Sequence, residues 1–93
     1  MKVRVRMDVA GRQVDQTLAG ADAEDIVAQA KALVQRELGW KGLFLGAMTP
    51  LAFARMAVEL YNGSHKTSYA LPQSADEFFR LGQDLGYLTV LPE

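Results

Sequence analysis

The first nine residues alternate between charged and apolar side chains, and this alternation constrains the fold more than any other feature of the chain. Successive side chains of a β-strand point to opposite faces, so strict alternation predicts a strand that is buried on one face. The predicted strand covers residues 2–9, with its charged side chains in solvent. The apolar positions are Val3, Val5, Met7 and Val9, and the charged positions are Lys2, Arg4, Arg6 and Asp8.

A second alternating run covers residues 13–18 and predicts a second strand. Gly11 lies between the two runs, and glycine adopts the positive φ values of tight hairpin turns at little cost. The two runs therefore predict an N-terminal β-hairpin.

Two registers of this hairpin are possible. A turn at residues 11–12 places Asp8 opposite Asp15, and like charges directly opposite each other destabilise a strand pair. A turn at residues 10–11 places Arg6 opposite Asp15, although it then contains a residue other than glycine. Cross-strand charge favours the second register, and both registers direct the same side chains inward.

Three helices follow the hairpin, and each begins at a residue whose side chain can cap free backbone N–H groups. Asp22 and Thr49 are the caps of the first two, and Ser74 forms a capping box with Glu77. Gly39 is expected to end the first helix. The predicted helices are residues 23–38, 50–62 and 75–85, and Trp40 is expected to pack back on Val34 after the first.

Two further runs resemble strands. Residues 67–71 are consistent with a short strand, and residues 87–91 with a closing strand that Pro92 ends. The predicted order is β-β-α-α-(β)-α-β. We therefore expect an α+β fold in one domain, residues 1–93, with the helices on one face of a small antiparallel or mixed sheet.

The segment of residues 43–61 is apolar almost throughout, and its helical part carries only two charges, Arg55 and Glu59. A helix that is apolar on nearly all sides is buried on several sides. One interpretation makes it the central core helix, with Arg55 and Glu59 paired one turn apart in solvent. The other places part of it in an interface with a second copy or another protein. The candidate interface residues are Trp40, Leu43, Phe44, Met48, Phe53 and Met56.

The charged face of the hairpin is a candidate nucleic-acid surface, because Lys2, Arg4 and Arg6 could contact phosphates. Sheets that bind nucleic acid usually interleave aromatic side chains for base stacking, and the outward positions here have none. The net charge is −1. A solvated charged face is the favoured interpretation, and we expect nucleic acid to be a poor partner.

His65 is the only histidine and lies in a polar stretch, residues 62–67. Ser64 is its immediate neighbour, which is a poor arrangement for a nucleophile and its base. An unrecognised catalytic site near His65 with Tyr61 or Tyr69 is therefore the weakest of the functional hypotheses. We expect no cofactor and no metal site.

The chain has no cysteine, so disulfides and thiolate catalysis are excluded. Absent disulfides and an N-terminus without a long apolar region favour a cytoplasmic location. Pro50 and Arg55 interrupt the longest apolar run, so we expect no membrane span.

These patterns favour a non-enzymatic protein–protein interaction module that forms a homodimer, or binds an unidentified protein partner, through the apolar segment. A weak nucleic-acid binder that uses the hairpin is the alternative, and an enzyme with a site near His65 is the third hypothesis.

Overall fold

A three-stranded antiparallel sheet supports three helices, as the sequence predicts. A computed structural model of the chain describes residues 1–9 and 11–92. The elements are β1 (Lys2–Val9), β2 (Arg12–Ala19), α1 (Ala23–Leu38), a 3-10 helix (Gly39–Ala47), α2 (Pro50–His65), α3 (Ala75–Asp84) and β3 (Leu88–Leu91).

The central strand of the sheet is β1, and the strand order is β2-β1-β3. The hairpin adopts the register that cross-strand charge favours, with Arg6 opposite Asp15 and Met7 opposite Val14. Gly11 has a φ of 80°, which glycine tolerates because it lacks a Cβ atom. The other predicted turn residue, Ala10, lies outside the described residues.

The core lies between the inner face of this sheet and the helices. Val3 and Val5 of β1 are buried, and they form one apolar cluster with Ile26 of α1, Phe79 of α3 and Leu88 of β3. The cluster therefore contains residues from both ends of the chain. Burial of such side chains stabilises the fold by about 1.5–3 kcal/mol each.

Each helix begins at its predicted cap. The side chains of Asp22, Thr49 and Ser74 accept hydrogen bonds from backbone N–H groups three residues later. The capping box differs in one detail, because the Glu77 carboxylate accepts from the N–H of Gln73 (2.6 Å), one residue before the cap.

The second helix is longer than predicted. It continues through Gly63 to His65 and ends at Lys66, which takes a left-handed conformation (φ 55°). The amide N–H of Lys66 donates to the carbonyl of Asn62. Asn62 therefore lies within the last turn of the helix, and Gly63 is an ordinary helical residue.

The strand predicted over residues 67–71 is wrong, because this segment is a loop. The Asn62 side chain explains the difference. Its oxygen accepts from the N–H of Tyr69 (3.1 Å) and the hydroxyl of Thr67 (2.8 Å), and its nitrogen donates to the carbonyl of Tyr69 (2.9 Å). One amide side chain thus satisfies backbone groups that would otherwise need a partner strand.

On the outer face of the hairpin, Arg4 holds Asp15 through two hydrogen bonds of 2.9 and 2.7 Å, and the Arg6 Nε atom lies 3.9 Å from the same carboxylate. The hydrogen bonds from Arg4 lower the pKa of Asp15, with a smaller contribution from the charge of Arg6. This pair stabilises the fold above the pKa that Asp15 has in the unfolded chain. The contribution is lost as the pH falls through the lower folded-state pKa.

We predict that Arg4→Gln raises the pKa of Asp15 toward its ordinary value, because the bidentate hydrogen bonds to the carboxylate are lost. Arg6→Gln is the matched control and should raise it less. An NMR pH titration of the Asp15 side chain measures both. Equal shifts in the two variants would contradict the bidentate geometry.

Candidate interaction surface

A 3-10 helix that the sequence pattern did not predict joins α1 to α2. Gly39 ends α1 with a φ of 62°. The chain then continues as the 3-10 helix, and Trp40 does not pack back on the preceding helix as expected. Its side chain is 78% exposed.

Every third residue of the 3-10 helix faces the core, because this helix type has three residues per turn. Leu45 is fully buried in a cluster with Phe53 and other residues of α1 and α2. Gly42, one turn earlier, packs so closely on α1 that a Cβ atom there would lie 2.7 Å from the carbonyl oxygen of Gln35. Glycine is therefore required for the helix to lie against α1.

The outward sides of the same helix expose large apolar side chains. Trp40, Leu43 and Phe44 are 78%, 71% and 57% exposed, and we call these three residues the outer patch. The Lys41 ammonium lies 5.9 Å from the centre of the Trp40 ring, within range of a cation–π interaction. Five consecutive residues thus place three large apolar side chains in solvent.

The other predicted interface residues are less accessible. Phe53 is buried in α2 and contacts Phe78 edge to face, with ring centroids 6.4 Å apart. Met48 and Met56 are partly buried against the same cluster. The apolar segment is therefore divided: Phe53 and Leu45 belong to the core, whereas Leu43 and Phe44 of the 3-10 helix are exposed. Leu60, which was not singled out from the sequence, is 64% exposed.

Arg55 contacts the loop before α3. Its guanidinium donates to the carbonyl of Pro72 (3.1 Å), and none of the ion pairs between described residues joins it to Glu59. The expected pair with Glu59 is therefore replaced by a contact that ties α2 to the chain entering α3.

The basic face of the hairpin is less positive than its sequence indicates. Lys2, Arg4 and Arg6 are exposed on the outer face of β1, as predicted, but both arginines lie beside the Asp15 carboxylate. Phosphate would have to compete with that carboxylate for Arg4. The geometry therefore gives the nucleic-acid hypothesis no added support.

His65 belongs to an aromatic cluster at the end of α2. Its ring stacks on Tyr61 with centroids 4.0 Å apart, and Tyr69 and Tyr87 each lie 6.0 Å from Tyr61. The His65 Nδ1 atom lies 3.2 Å from the carbonyl oxygen of Tyr61. Burial, with smaller effects from Tyr61 and Asp8, raises the pKa of Tyr87.

Two shallow cavities lie beside the sheet, and Tyr87 of this cluster lines one of them. One of about 260 Å³ lies between residues 6–8 of β1 and Tyr87, and the other, of about 270 Å³, lies between β2 and α1. Across residues 1–9 and 11–92, the His, Asp and Glu side chains form no group of three that could bind a metal ion. No helix of this described part is long and apolar enough to cross a bilayer.

Comparison with known proteins found no matching family model, no similar curated protein and no similar solved structure. The surfaces of the chain itself therefore have to indicate its function.

We predict that Gly42→Ala lowers the free energy of unfolding by about 1–3 kcal/mol, because its Cβ atom meets backbone and the 3-10 helix must move away from α1. Gly63→Ala is the matched control, since Gly63 is helical with nothing within 4 Å of an added Cβ. It should leave stability unchanged or raise it by up to ~1 kcal/mol. Urea unfolding followed by circular dichroism measures both. Equal stability of the two variants would contradict the close packing at Gly42.

Proposed function

We propose that this protein is a non-enzymatic protein–protein interaction module that self-associates as a homodimer through the outer patch. The observation that carries the proposal is the exposure of Trp40, Leu43 and Phe44 within one short 3-10 helix. Contiguous exposed apolar surface typically marks an interaction site. Tryptophan and phenylalanine are also enriched at the centres of interfaces, where a few large side chains provide most of the binding energy.

The arrangement of side chains around the 3-10 helix supports a second copy as the partner. Trp40, Leu43 and Gly46 follow one another at intervals of three, so they form one uncharged stripe. A two-fold axis at Leu43 would place each Trp40 ring over Gly46 of the other copy, beside the Gln35 side chain that lies against this glycine. Lys41 lies on the neighbouring stripe and would remain at the rim of the contact.

The size of the chain also favours association. A chain of 93 residues buries a smaller fraction of its surface than a larger protein does, so its core alone provides modest stability. Burying the outer patch in a dimer would add apolar contact without changing the fold, because Leu45 and Gly42 fix the 3-10 helix on the core.

We predict that Phe44→Glu abolishes association through the outer patch without unfolding the chain, because the side chain is mostly exposed and a buried carboxylate at the interface is costly. Light scattering coupled to size exclusion, over a concentration series, measures the association. Circular dichroism checks the fold of the variant.

Leu60→Glu is the matched control, since Leu60 has similar exposure but lies in α2, outside the outer patch. This variant should associate like the original chain. A chain that is monomeric at all concentrations, or a Phe44→Glu variant that simply unfolds, would refute the proposal.

A further inference from the structure

We infer that the free edge of β2 is a second self-association surface, at which two copies pair antiparallel to form one continuous six-stranded sheet. This surface shares no residue with the outer patch, because it consists of backbone groups of β2. Pairing of exposed strand edges is a common way for sheets to recruit another chain.

The backbone of β2 has unused hydrogen-bonding groups on its outer edge. The N–H of Arg6 donates to the carbonyl of Tyr87 (2.9 Å), so even-numbered residues of β1 point toward β3 and odd-numbered ones toward β2. The partners of those odd-numbered residues in β2 are even-numbered. The backbone groups of Gln13, Asp15 and Thr17 therefore point away from β1, and no other described residue binds them.

A side-chain hydrogen bond confirms this direction. The Gln29 amide of α1 donates to the carbonyl of Ala19 (2.7 Å), which is odd-numbered and lies at the end of the same edge. The free edge thus begins at Gln13 and includes Ala19, whose carbonyl oxygen keeps a second lone pair besides the one that accepts from Gln29.

This edge lacks the features that usually prevent pairing. Native edge strands are often protected by lysine, proline or a bulge. Residues 12–19 contain neither lysine nor proline, and the ladder to β1 is continuous over all eight pairs. The strand has two charged side chains, and each has a partner within the chain: Arg4 holds Asp15, and Glu37 lies 3.6 Å from Arg12.

Charge determines the register of the pair. An axis at Asp15 would place two carboxylates directly opposite each other, which is unfavourable. An axis at Gln16 places Asp15 opposite Thr17 of the second copy, whose hydroxyl can donate to the carboxylate. The same register sets Gln13 opposite Ala19 of the second copy, so residues 13–19 of each chain pair.

The inward-facing side chains of β2 also fit a two-fold axis at Gln16. Val14 lies opposite Leu18 of the second copy, and both are apolar and face the helices. The two Gln16 side chains meet at the axis, where each amide can both donate and accept. Registers centred on residue 14 or 17 would pair only residues 12–16 or 15–19, so they form fewer ladder hydrogen bonds.

A cavity of about 270 Å³ lies between β2 and α1. Its lining joins the apolar side chains of Leu18, Ala32 and Leu33 with the polar side chains of Gln16, Gln29 and Arg36. Ala32 is exposed on α1, and its small side chain allows a second α1 to approach across the axis. Edge pairing would therefore cover apolar groups as well as complete the ladder.

Hydrogen exchange provides a direct test, because the strand geometry predicts which amides change. In the monomer the amides of Val14 and Gln16 are bonded to β1 and exchange slowly, whereas those of Asp15 and Thr17 exchange rapidly. We expect Asp15 and Thr17 to become protected as the concentration rises. Rapid exchange of both amides in a sample that is dimeric, or in one that stays monomeric, would overturn the inference.

Variants separate edge pairing from a general effect of charge. Gln16→Glu places two carboxylates opposite each other at the axis and should raise the dimer Kd by at least about tenfold. Gln13→Glu is the same change on the same strand. It faces Asp8 of its own chain in the monomer and the dimer alike, and Ala19 of the second copy, so it should change Kd by no more than about twofold. Equal effects of the two variants would overturn the register.

Thr17→Pro removes a donor that only the second copy uses, and proline is tolerated at a strand edge. It should also raise the dimer Kd by at least about tenfold, because each dimer loses two hydrogen bonds. Circular dichroism checks its fold, and if it fails to fold, the two glutamine variants still decide.

The same measurements distinguish this inference from the proposed function. If both surfaces are used, the original chain forms assemblies larger than a dimer, Phe44→Glu leaves an edge-paired dimer, and Gln16→Glu leaves a dimer joined at the outer patch. If Phe44→Glu alone abolishes association, the edge inference fails and the proposed function stands. If Phe44→Glu changes nothing and Gln16→Glu abolishes association, the proposed function fails and the edge inference stands.

Discussion

The fold depends on β1, which is hydrogen-bonded on both edges and buried on one face. Val3 and Val5 are the points at which β2, β3, α1 and α3 meet, since their inner face is covered by Ile26 and Phe79. A strand with this role must alternate strictly, because a shift by one residue would place its charges in the core. The helices are arranged around this strand, and the 3-10 helix is in turn fixed on α1.

Local rules predicted much of this arrangement from the sequence. The alternation of residues 2–9, the charge pairing of Arg6 with Asp15 and the three caps each depend on chemistry within a few residues or one turn, so they can be read directly. The closing strand β3 was also predictable, because its residues form a short local run that ends at a proline. Its position beside β1 depends on contacts between residues more than eighty positions apart, and the order of strands was not predicted.

The features that the sequence did not predict depend on contacts of single residues with backbone groups several positions away in the chain. Asn62 satisfies the backbone of Tyr69 and so turns an expected strand into a loop. The 3-10 helix arises because Gly42 fits against the Gln35 carbonyl, a contact that glycine spacing alone does not reveal. Gly42, Leu45 and Met48 recur at intervals of three, which is the spacing expected of a 3-10 helix. This spacing places them on the core-facing side and the outer patch on the other sides.

The pairing of β3 with β1 also determines how the chain can fold. Lys2 lies opposite Leu91, so the sheet joins segments separated by nearly the whole sequence. Closing so long a loop costs conformational entropy before the contacts of Leu88 with the core can repay it. Contacts this distant in sequence slow folding. The hairpin and α1 can form early from local contacts, whereas the inner face of β1 stays incompletely covered until β3 arrives.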